Sequence, residues 1–256
     1  MHYIDTGSGE ETIVFSHGLL FDNEIFAKQI EHFKDRYRCI AFDHRGQGKS
    51  PVTKDGYDMD TLAQDAIDLI EKLGVGPCHF AGLSMGGFVA MRVAVRRPDL
   101  IKSVTLLDTS ANAEEAENKA GYRKLNFIGR WFGFRLVINK VMPIMFSTTF
   151  MNDPARADER KYWADLICAN DRIGATRAVS GVIDRQGFGD QIEKIERPTL
   201  IIVGEEDTAT VPAKSEFMHG KIKGSKLVKI PRAGHLSTIE APNAVNDAMD
   251  DFLKGL

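Results

Sequence analysis

Cysteine is scarce in this chain, and its pattern excludes two common classes of protein. Only Cys39, Cys78 and Cys168 occur among 256 residues, an odd and widely spaced set with no C-x-x-C pair. Small secreted domains held by disulfides usually carry even sets of cysteines, and structural zinc sites need closely spaced ligands. We therefore predict reduced thiols in a cytoplasmic protein, and no metal site.

Long apolar runs and an excess of one charge are also absent. No stretch reaches about 18 consecutive apolar residues, the length of a membrane-spanning helix, and residues 1–5 lack the pattern of a secretory signal. The formal net charge of −3 argues against nucleic acid or an anionic membrane surface as the main partner. The loop Gly46–Ser50 lacks the spacing of a phosphate-binding loop. We expect a small-molecule substrate, no cofactor, no nucleic acid and no membrane partner.

The most informative stretch that is present runs from His79 to Met91, where a short apolar strand, a glycine turn and a helix follow one another. It contains G-x-S-x-G, with Ser84 between Gly82 and Gly86. A serine on so sharp a strand-to-helix turn is held in a strained backbone conformation and stands clear of the sheet. Side chains two positions before and after it would collide where strand and helix cross. The motif is specific only in this strand-and-helix context.

Strands and helices alternate in the first part of the chain and again near its end. Apolar runs that read as strands lie at residues 12–15, 37–42, 79–83, 103–108, 198–204 and 226–230. The clearest amphipathic helix covers residues 60–73 and is followed by Gly74 as its stop. Nearly continuous apolar strands separated by helices are typical of a mostly parallel α/β sheet that is covered on both faces.

This alternation breaks between residues 111 and 187, where no strand pattern is present. Large apolar side chains recur there at helical spacing. We predict a helical cap at 111–187, inserted after the strand that ends near Asp108, on a core formed by 1–110 and 188–256. The alternative is a second helical core or an extra layer on the main core, and a cap can be both.

Three polar residues lie on loops that follow strands, and in a parallel sheet such loops share one edge. They are Ser84, Asp207 and His235. A serine hydroxyl is a weak nucleophile, so it needs a base within reach, and the base needs a partner that holds its tautomer. His235 suits the base and Asp207 the partner. Asp108 and Glu206 stay open as alternatives for the acid.

The loop after the first confident strand is expected to supply a backbone donor. In His17-Gly18-Leu19, an unusual backbone angle at Gly18 would turn the Leu19 N–H inward. Together with the Met85 N–H at the start of the next helix, it would form an oxyanion hole with two donors. We interpret His17 as a structural hydrogen-bonding residue.

The substrate pocket should be apolar. Candidates for its lining are Leu19, Phe21, Met85, Trp131, Met145, Phe146, Trp163 and Leu236. For each candidate in the predicted cap, plain core packing is the competing interpretation.

In their order along the chain, these motifs resemble the α/β-hydrolase superfamily. The resemblance spans nearly the whole chain and is carried by His17-Gly18, Asp43 to Ser50, Gly82 to Gly87, Gly204 to Asp207 and Gly234-His235. It implies a nucleophile, an acid, a base and two oxyanion donors at Ser84, Asp207, His235, Leu19 and Met85. The tail from Gly234 to Pro242 is similar to 3-oxoadipate enol-lactonases and related small esterases. Family members usually have a further strand before the segment matching residues 2–7, so we expect about seven strands here.

These features favour a hydrolase of a carboxylic ester or lactone that works through an acyl-enzyme. A hydrolase of a C–C bond in a vinylogous diketone uses the same fold and triad and stays an alternative. A ligand receptor without catalytic activity is a more distant one. Within the superfamily, dehalogenases and epoxide hydrolases need a carboxylate where Ser84 stands, which speaks against both. We expect a monomer or a small homo-oligomer.

Overall fold

One seven-stranded sheet forms the centre of the molecule in the computed structural model, which describes residues 1–256. Its strands are β1 Tyr3–Asp5, β2 Glu11–Ser16, β3 Tyr37–Phe42, β4 Cys78–Leu83, β5 Ile101–Leu107, β6 Thr199–Gly204 and β7 Lys226–Ile230. Their spatial order is β1-β3-β2-β4-β5-β6-β7. Strand β1 is antiparallel to β3, and every other neighbouring pair is parallel. The predicted α/β fold with seven mostly parallel strands is confirmed.

Eleven α-helices surround the sheet or follow it. They are α1 Ala27–Phe33, α2 Met59–Leu73, α3 Met85–Arg96, α4 Ala116–Phe132, α5 Ile138–Met145, α6 Thr148–Asn152, α7 Ala157–Ala169, α8 Arg172–Ile183, α9 Pro212–Lys221, α10 Ser237–Glu240 and α11 Pro242–Leu253. Helix α2 ends at Gly74 with φ 61°, the stop expected from the sequence. At its start the Asp58 side chain accepts hydrogen bonds from the N–H groups of Asp60 and Thr61. None of the helices combines the length and apolar character that crossing a membrane requires.

The two faces of the sheet belong to two separate apolar clusters. Successive side chains of a strand point to opposite faces, so Ile13 and Phe15 of β2 enter the cluster that contains α1 and α11, whereas Val14 enters the one with α2 and α3. All six residues of the central strand β4 are buried. Burial on both faces explains why the strands read as continuous apolar runs.

Residues 111–187, which we call the helical insertion, lie between β5 and β6 and contain five helices, α4 to α8, and no strand. Its buried side chains, such as Phe134, Val141 and Phe150, join the same cluster as Phe15 of the sheet. The insertion therefore has no separate apolar core. It shares its apolar packing with the sheet and with helices α1 and α11 instead.

Candidate active site

Ser84 lies on the sharp turn between β4 and α3. Its backbone has φ 52° and ψ −111°, a conformation that is strained for any residue with a side chain. A Cβ atom on Gly82 would lie 2.2 Å from the carbonyl oxygen of Gly86, and one on Gly86 would lie 1.9 Å from that of Ser16. Both distances are far below van der Waals contact. The strain at Ser84 and the collision between strand and helix at Gly82 are thus as the motif predicts, whereas a Cβ on Gly86 would meet the neighbouring strand β2.

Hydrogen bonds on both sides hold the strained turn in place. The Ser84 N–H donates to the Leu107 carbonyl at 2.9 Å, and the Thr109 hydroxyl donates to the Ser84 carbonyl at 2.7 Å. The N–H groups of Gly87 and Phe88 donate to the same carbonyl as α3 begins. Because the backbone is tied to β5 and α3, the Ser84 side chain projects from a rigid support.

Three loops at one edge of the sheet bring Ser84, His235 and Asp207 into a hydrogen-bonded row. Ser84 Oγ lies 2.8 Å from His235 Nε2, and His235 Nδ1 lies 2.9 Å from Asp207 Oδ2. All three residues are buried. This is the distance range in which a histidine can take a proton from a hydroxyl group while a carboxylate orients the ring.

The interaction between Asp207 and His235 stabilises the charged form of each residue. Burial lowers the pKa of His235, but the charge and hydrogen bond of Asp207 outweigh it and leave the pKa of His235 above its ordinary value. Burial raises the pKa of Asp207, and the interaction with His235 outweighs that effect, so the pKa of Asp207 lies below its ordinary value. Asp207 is therefore ionised at neutral pH and favours the tautomer with a proton on Nδ1, which leaves Nε2 free to accept.

The two alternative acids lie close by but do not contact His235. Asp108 accepts hydrogen bonds from the Gly204 N–H at 2.8 Å and from the N–H and hydroxyl of Ser237 at 3.2 and 2.5 Å. Burial and the nearby charge of Asp207 raise the pKa of Asp108. Glu206 instead accepts from the N–H and hydroxyl of Thr149 in the insertion. The carboxyl groups of Asp108 and Glu206 therefore connect neighbouring loops. Of the three acids, only Asp207 hydrogen-bonds to the His235 imidazole.

Sequence reasoning missed Thr210, which holds Asp207 in position. The Thr210 hydroxyl donates to Asp207 Oδ2 at 2.7 Å, and the N–H groups of Ala209 and Thr210 donate to Oδ1 at 2.8 and 2.9 Å. An Asp that is followed two and three residues later by such donors forms a local side-chain-to-backbone turn. That spacing was the available signal.

The loop that carries the proposed donor Leu19 has a different backbone geometry from the one expected. Gly18 has no positive φ; the unusual angle falls on Leu20, with φ 68°. Leu20 is fixed there by its N–H, which donates to Gln47 Oε1 at 2.7 Å. The role expected of Gly18 is thus corrected: its φ is not positive, and a Cβ there would lie 2.9 Å from Leu83 Cδ2, so that the Leu83 side chain would have to shift. The N–H groups of Leu19 and Met85 donate to no loop carbonyl and no side chain.

His17, by contrast, has the structural role that its sequence context suggested. It is fully buried, and its Nε2 accepts a hydrogen bond from the His44 N–H at 2.9 Å. Its Nδ1 lies 2.7 Å from the Gly18 carbonyl oxygen. The ring therefore fixes the loop that carries Leu19.

A cavity of about 960 Å³, including the space at its mouth, opens onto Ser84 and His235. Hydrophobic residues make up 17 of the 24 that line it, so it can bind an apolar group beside the serine oxygen. The expected lining residues Leu19, Phe21, Met145 and Leu236 are among them. Much of the remaining wall comes from α4, α5 and α8 of the insertion, including Leu125, Val137, Val141 and Val179.

The other expected lining residues lie elsewhere, and the prediction is corrected for them. Trp131 is 64% exposed on α4. Phe146 and Trp163 pack behind Phe21, with ring centroids 6.4 and 6.0 Å from its ring, so they support the wall without forming it. The Met85 side chain enters the cluster on the opposite face of the sheet. Helical spacing identifies apolar residues but does not decide which of them face a cavity.

The cavity also has a polar region that the sequence did not reveal, formed by Glu114, Tyr122, Asn126 and Arg185. Arg185 Nη1 lies 2.9 Å from Glu114 Oε2, and its guanidinium lies over the Phe88 ring, 4.4 Å from the centroid. Burial raises the pKa of Glu114, but the hydrogen bond from Arg185 outweighs it and keeps the pKa below its ordinary value. The two charges thus neutralise each other. No local pattern links residues so far apart in the chain.

The described residues contain no group of three or more His, Cys, Asp or Glu side chains placed to hold a metal ion. Beside Ser84, the His235 imidazole hydrogen-bonds to the Ser84 hydroxyl and to the Asp207 carboxylate.

Known proteins match this chain along nearly its whole length. A family model for the α/β hydrolase fold matches residues 11–242, and the chain belongs to that family. A 3-oxoadipate enol-lactonase from Acinetobacter baylyi is 27% identical over 258 residues, covering 99% of this chain and 93% of that protein. A solved thermophilic esterase from Thermogutta terrifontis has a TM-score of 0.91 at 30% identity, with 99% and 93% covered. An enol-lactonase structure from Burkholderia xenovorans LB400 has the same TM-score at 27% identity, with 99% and 96% covered.

Proposed function

We propose that this hydrolase cleaves a carboxylic ester or lactone through an acyl-enzyme, with Ser84 as nucleophile, His235 as base and Asp207 as its partner. The observation that carries the proposal is the 2.8 Å separation of Ser84 Oγ and His235 Nε2 at the wall of an apolar cavity. A ligand receptor that only keeps the pocket has no need of a buried row of hydroxyl, imidazole and carboxylate. We also propose that the insertion acts as a cap over this cavity.

The geometry supports a two-step reaction. Ser84 Oγ attacks the carbonyl carbon while its proton passes to His235 Nε2, and the oxygen that becomes negative is stabilised by the N–H groups of Leu19 and Met85. The imidazolium is stabilised by Asp207 and gives its proton to the departing alkoxide, which leaves the acyl group on Ser84. Water then attacks, with His235 again as base, and releases the acid and the free serine.

The cavity wall favours an uncharged acyl group. Most of the wall is apolar, and the charges of Glu114 and Arg185 are paired at 2.9 Å, so a substrate carboxylate would find no free positive partner there. A buried unpaired charge is costly. The acid for which the Acinetobacter relative is named, 3-oxoadipate, carries two carboxylates. For this chain we therefore rank neutral esters above lactones that carry a carboxylate.

The experiment is a side-by-side assay of p-nitrophenyl esters of increasing chain length, neutral and carboxylated lactones, and a vinylogous diketone. We expect the highest kcat/KM on a neutral ester, and stoichiometric labelling of Ser84 by a fluorophosphonate. Turnover of the diketone with no ester cleavage would favour the C–C hydrolase. Failure of every substrate together with absent labelling would reject the serine mechanism.

We also propose that this hydrolase is a cytoplasmic protein. Cys39, Cys78 and Cys168 are all free thiols, and burial raises the pKa of Cys39 and Cys78 to about 12, so these two are unreactive. This supports a cytoplasmic location, where disulfides are rare. We propose a monomer or small homo-oligomer, to be tested by analytical ultracentrifugation.

A further inference from the structure

The outer side of the insertion carries an unusual concentration of exposed apolar side chains. Phe127, Trp131, Phe132 and Leu136 are 60 to 69% exposed, and they are the four most exposed large apolar residues of the chain. We call them the outer patch. Phe127 and Trp131 are four residues apart on α4 and so lie on the same side of the helix. Single exposed apolar residues are normal on protein surfaces, whereas a cluster of four indicates an interaction site.

The segment around the outer patch is strongly basic. Residues 118–152 contain six Lys and Arg residues and no Asp or Glu. The whole chain has a formal net charge of −3, so the remaining residues together carry −9. The formal net charge of the chain therefore conceals a division between a positive segment at residues 118–152 and a negative remainder. Four of the six cations form no ion pair with an acidic side chain, namely Lys119, Lys124, Arg130 and Lys140.

The acidic groups nearest the patch leave this positive charge in place. Arg123 pairs with Asp184 at 2.7 Å and Arg135 with Asp165 at 3.4 Å. A shallow polar groove beside Phe127 and Trp131 is lined by three acids and by four bases, which are Lys54, Arg123, Arg130 and Arg177. Arg172 adds a further cation, since its Nη1 donates to the Trp131 carbonyl at 3.4 Å.

We propose that the outer patch and its flanking cations bind the surface of an anionic lipid bilayer. A helix that carries Trp and Phe together with Lys and Arg can lie in the plane of the interface, with its rings among the acyl chains and its cations at the head groups. The anionic head groups supply the negative charge that the segment lacks. The mode of binding is peripheral.

A second copy of the chain fits this surface less well. A two-fold interface would place the same patch of both copies face to face and so bring two basic segments together. Like charges opposed across an interface oppose association. An anionic bilayer can bind the aromatic rings among its acyl chains and the cations at its head groups at the same time.

The location of the patch gives lipid binding a consequence for substrate access. Leu125 and Asn126 of α4 and Phe134 after it line the cavity, while Phe127 and Trp131 point outward from the same segment. The roof of the cavity would therefore lie at the lipid surface, where apolar esters partition. The proposal goes beyond the hydrolase function and does not depend on it.

The two tryptophans provide a direct test, because Trp163 is buried and Trp131 is exposed. The full-length protein is titrated with vesicles of phosphatidylcholine alone, and with vesicles of equal parts phosphatidylcholine and phosphatidylglycerol. We expect a blue shift of tryptophan emission and co-sedimentation with the anionic vesicles, at least about tenfold stronger than with the neutral ones and weakened by high salt. Trp131→Phe should still sediment but lose the shift, and Ser84→Ala should bind as the wild type does.

Variants locate the binding surface. The double change Phe127→Ser and Phe132→Ser should weaken binding at least about tenfold, and Lys124→Ala about fivefold. Phe217→Ser, the same change at an exposed residue of α9, should have no effect and is the matched control. Absence of binding, equal binding to both vesicle types, or loss of binding in Phe217→Ser would overturn the proposal. So would a blue shift that depends on protein concentration without lipid, which would identify a second copy as the occupant.

Discussion

The sheet edge that carries Ser84 and the helical insertion above it are held in place by different forces. At the edge, backbone segments approach so closely that only glycine fits: a Cβ on Gly204 would lie 2.3 Å from the Ala233 carbonyl oxygen, and one on Gly234 2.4 Å from the Ser147 N. The polar groups there are buried and bonded to one another. In the insertion, residues such as Phe150 and Ile167 contribute apolar packing, which is non-directional.

Because of this contrast, we expect mutations in the two regions to affect different properties, namely the chemical step and the choice of substrate. A directional network tolerates little change, because each member positions the next. Apolar packing tolerates substitution as long as volume is kept. We therefore expect changes at the sheet edge to reduce turnover of all substrates, and changes in the insertion to alter substrate choice or stability while the chemistry persists.

The largest effect should come from Ser84→Ala at the sheet edge. Loss of the nucleophilic oxygen is expected to lower kcat by up to about a millionfold. The bonds to Leu107 and Thr109 use only the backbone of Ser84, so the melting temperature should change little. The test is kcat on the best ester, measured with the melting temperature. A folded variant with a tenth of the wild-type activity would contradict the proposed site.

Asp207→Asn should have the next largest effect, about 10⁴-fold in kcat, because an amide favours the wrong tautomer of His235. Asp108→Asn is the matched control, a buried Asp on the neighbouring loop that does not touch the imidazole. It should cost less than about tenfold. The reverse order of the two variants would move the catalytic acid to Asp108.

The same pair of variants predicts a pH dependence. His235 must be neutral to act as base, so kcat/KM should rise with pH through the pKa of His235, which Asp207 holds above its ordinary value. Removal of the Asp207 charge should lower that pKa. The acidic limb of the residual activity of Asp207→Asn should therefore move to lower pH. An acidic limb that stays where it is would show that Asp207 does not set the protonation of His235.

Glu114→Gln, at the start of the insertion, should change the preference among substrates rather than the chemical step. It leaves the guanidinium of Arg185 without its 2.9 Å charged partner. The ratio of kcat/KM for a carboxylated half-ester to that for a neutral ester of equal length should rise by about tenfold or more. The control is Glu115→Gln, the same change at the adjacent exposed residue, which pairs with Lys214. An unchanged ratio would remove the paired charges from substrate recognition.

Trp163→Ala should have the smallest effect on activity. Its ring packs against Phe21 and does not line the cavity, so we expect a loss of about 3–5 kcal/mol in the free energy of unfolding and similar losses of activity on short and long esters. Trp163→Phe is the control and should cost much less, because the Trp163 Nε1 has no hydrogen-bond partner to lose. A selective gain on long esters with unchanged stability would instead place Trp163 at the substrate.

The elbow around Ser84, the alternation of strands and helices and the extent of helix α2 could be predicted from the sequence because each rests on a local signal. Gly82 marks a backbone approach within a few residues, since a Cβ there would lie 2.2 Å from the Gly86 carbonyl oxygen. Apolar runs report strands buried on both faces. Helix α2 was recognised from its apolar face and from Gly74, which directly follows its last residue.

Only the tertiary structure decided which carboxyl meets His235, which residue of the loop after β2 takes a positive φ and which apolar side chains face the cavity. Asp108, Glu206 and Asp207 all follow strands, and the choice among them depends on how three loops meet at the sheet edge. Glu114 and Arg185 are 71 residues apart in the chain, so no local pattern could pair them. Trp131 and Trp163 both lie on helices of the insertion, yet one is exposed and the other buried. Local periodicity determines that a helix has an apolar side, but the surface which that side meets is set by the packing of distant segments.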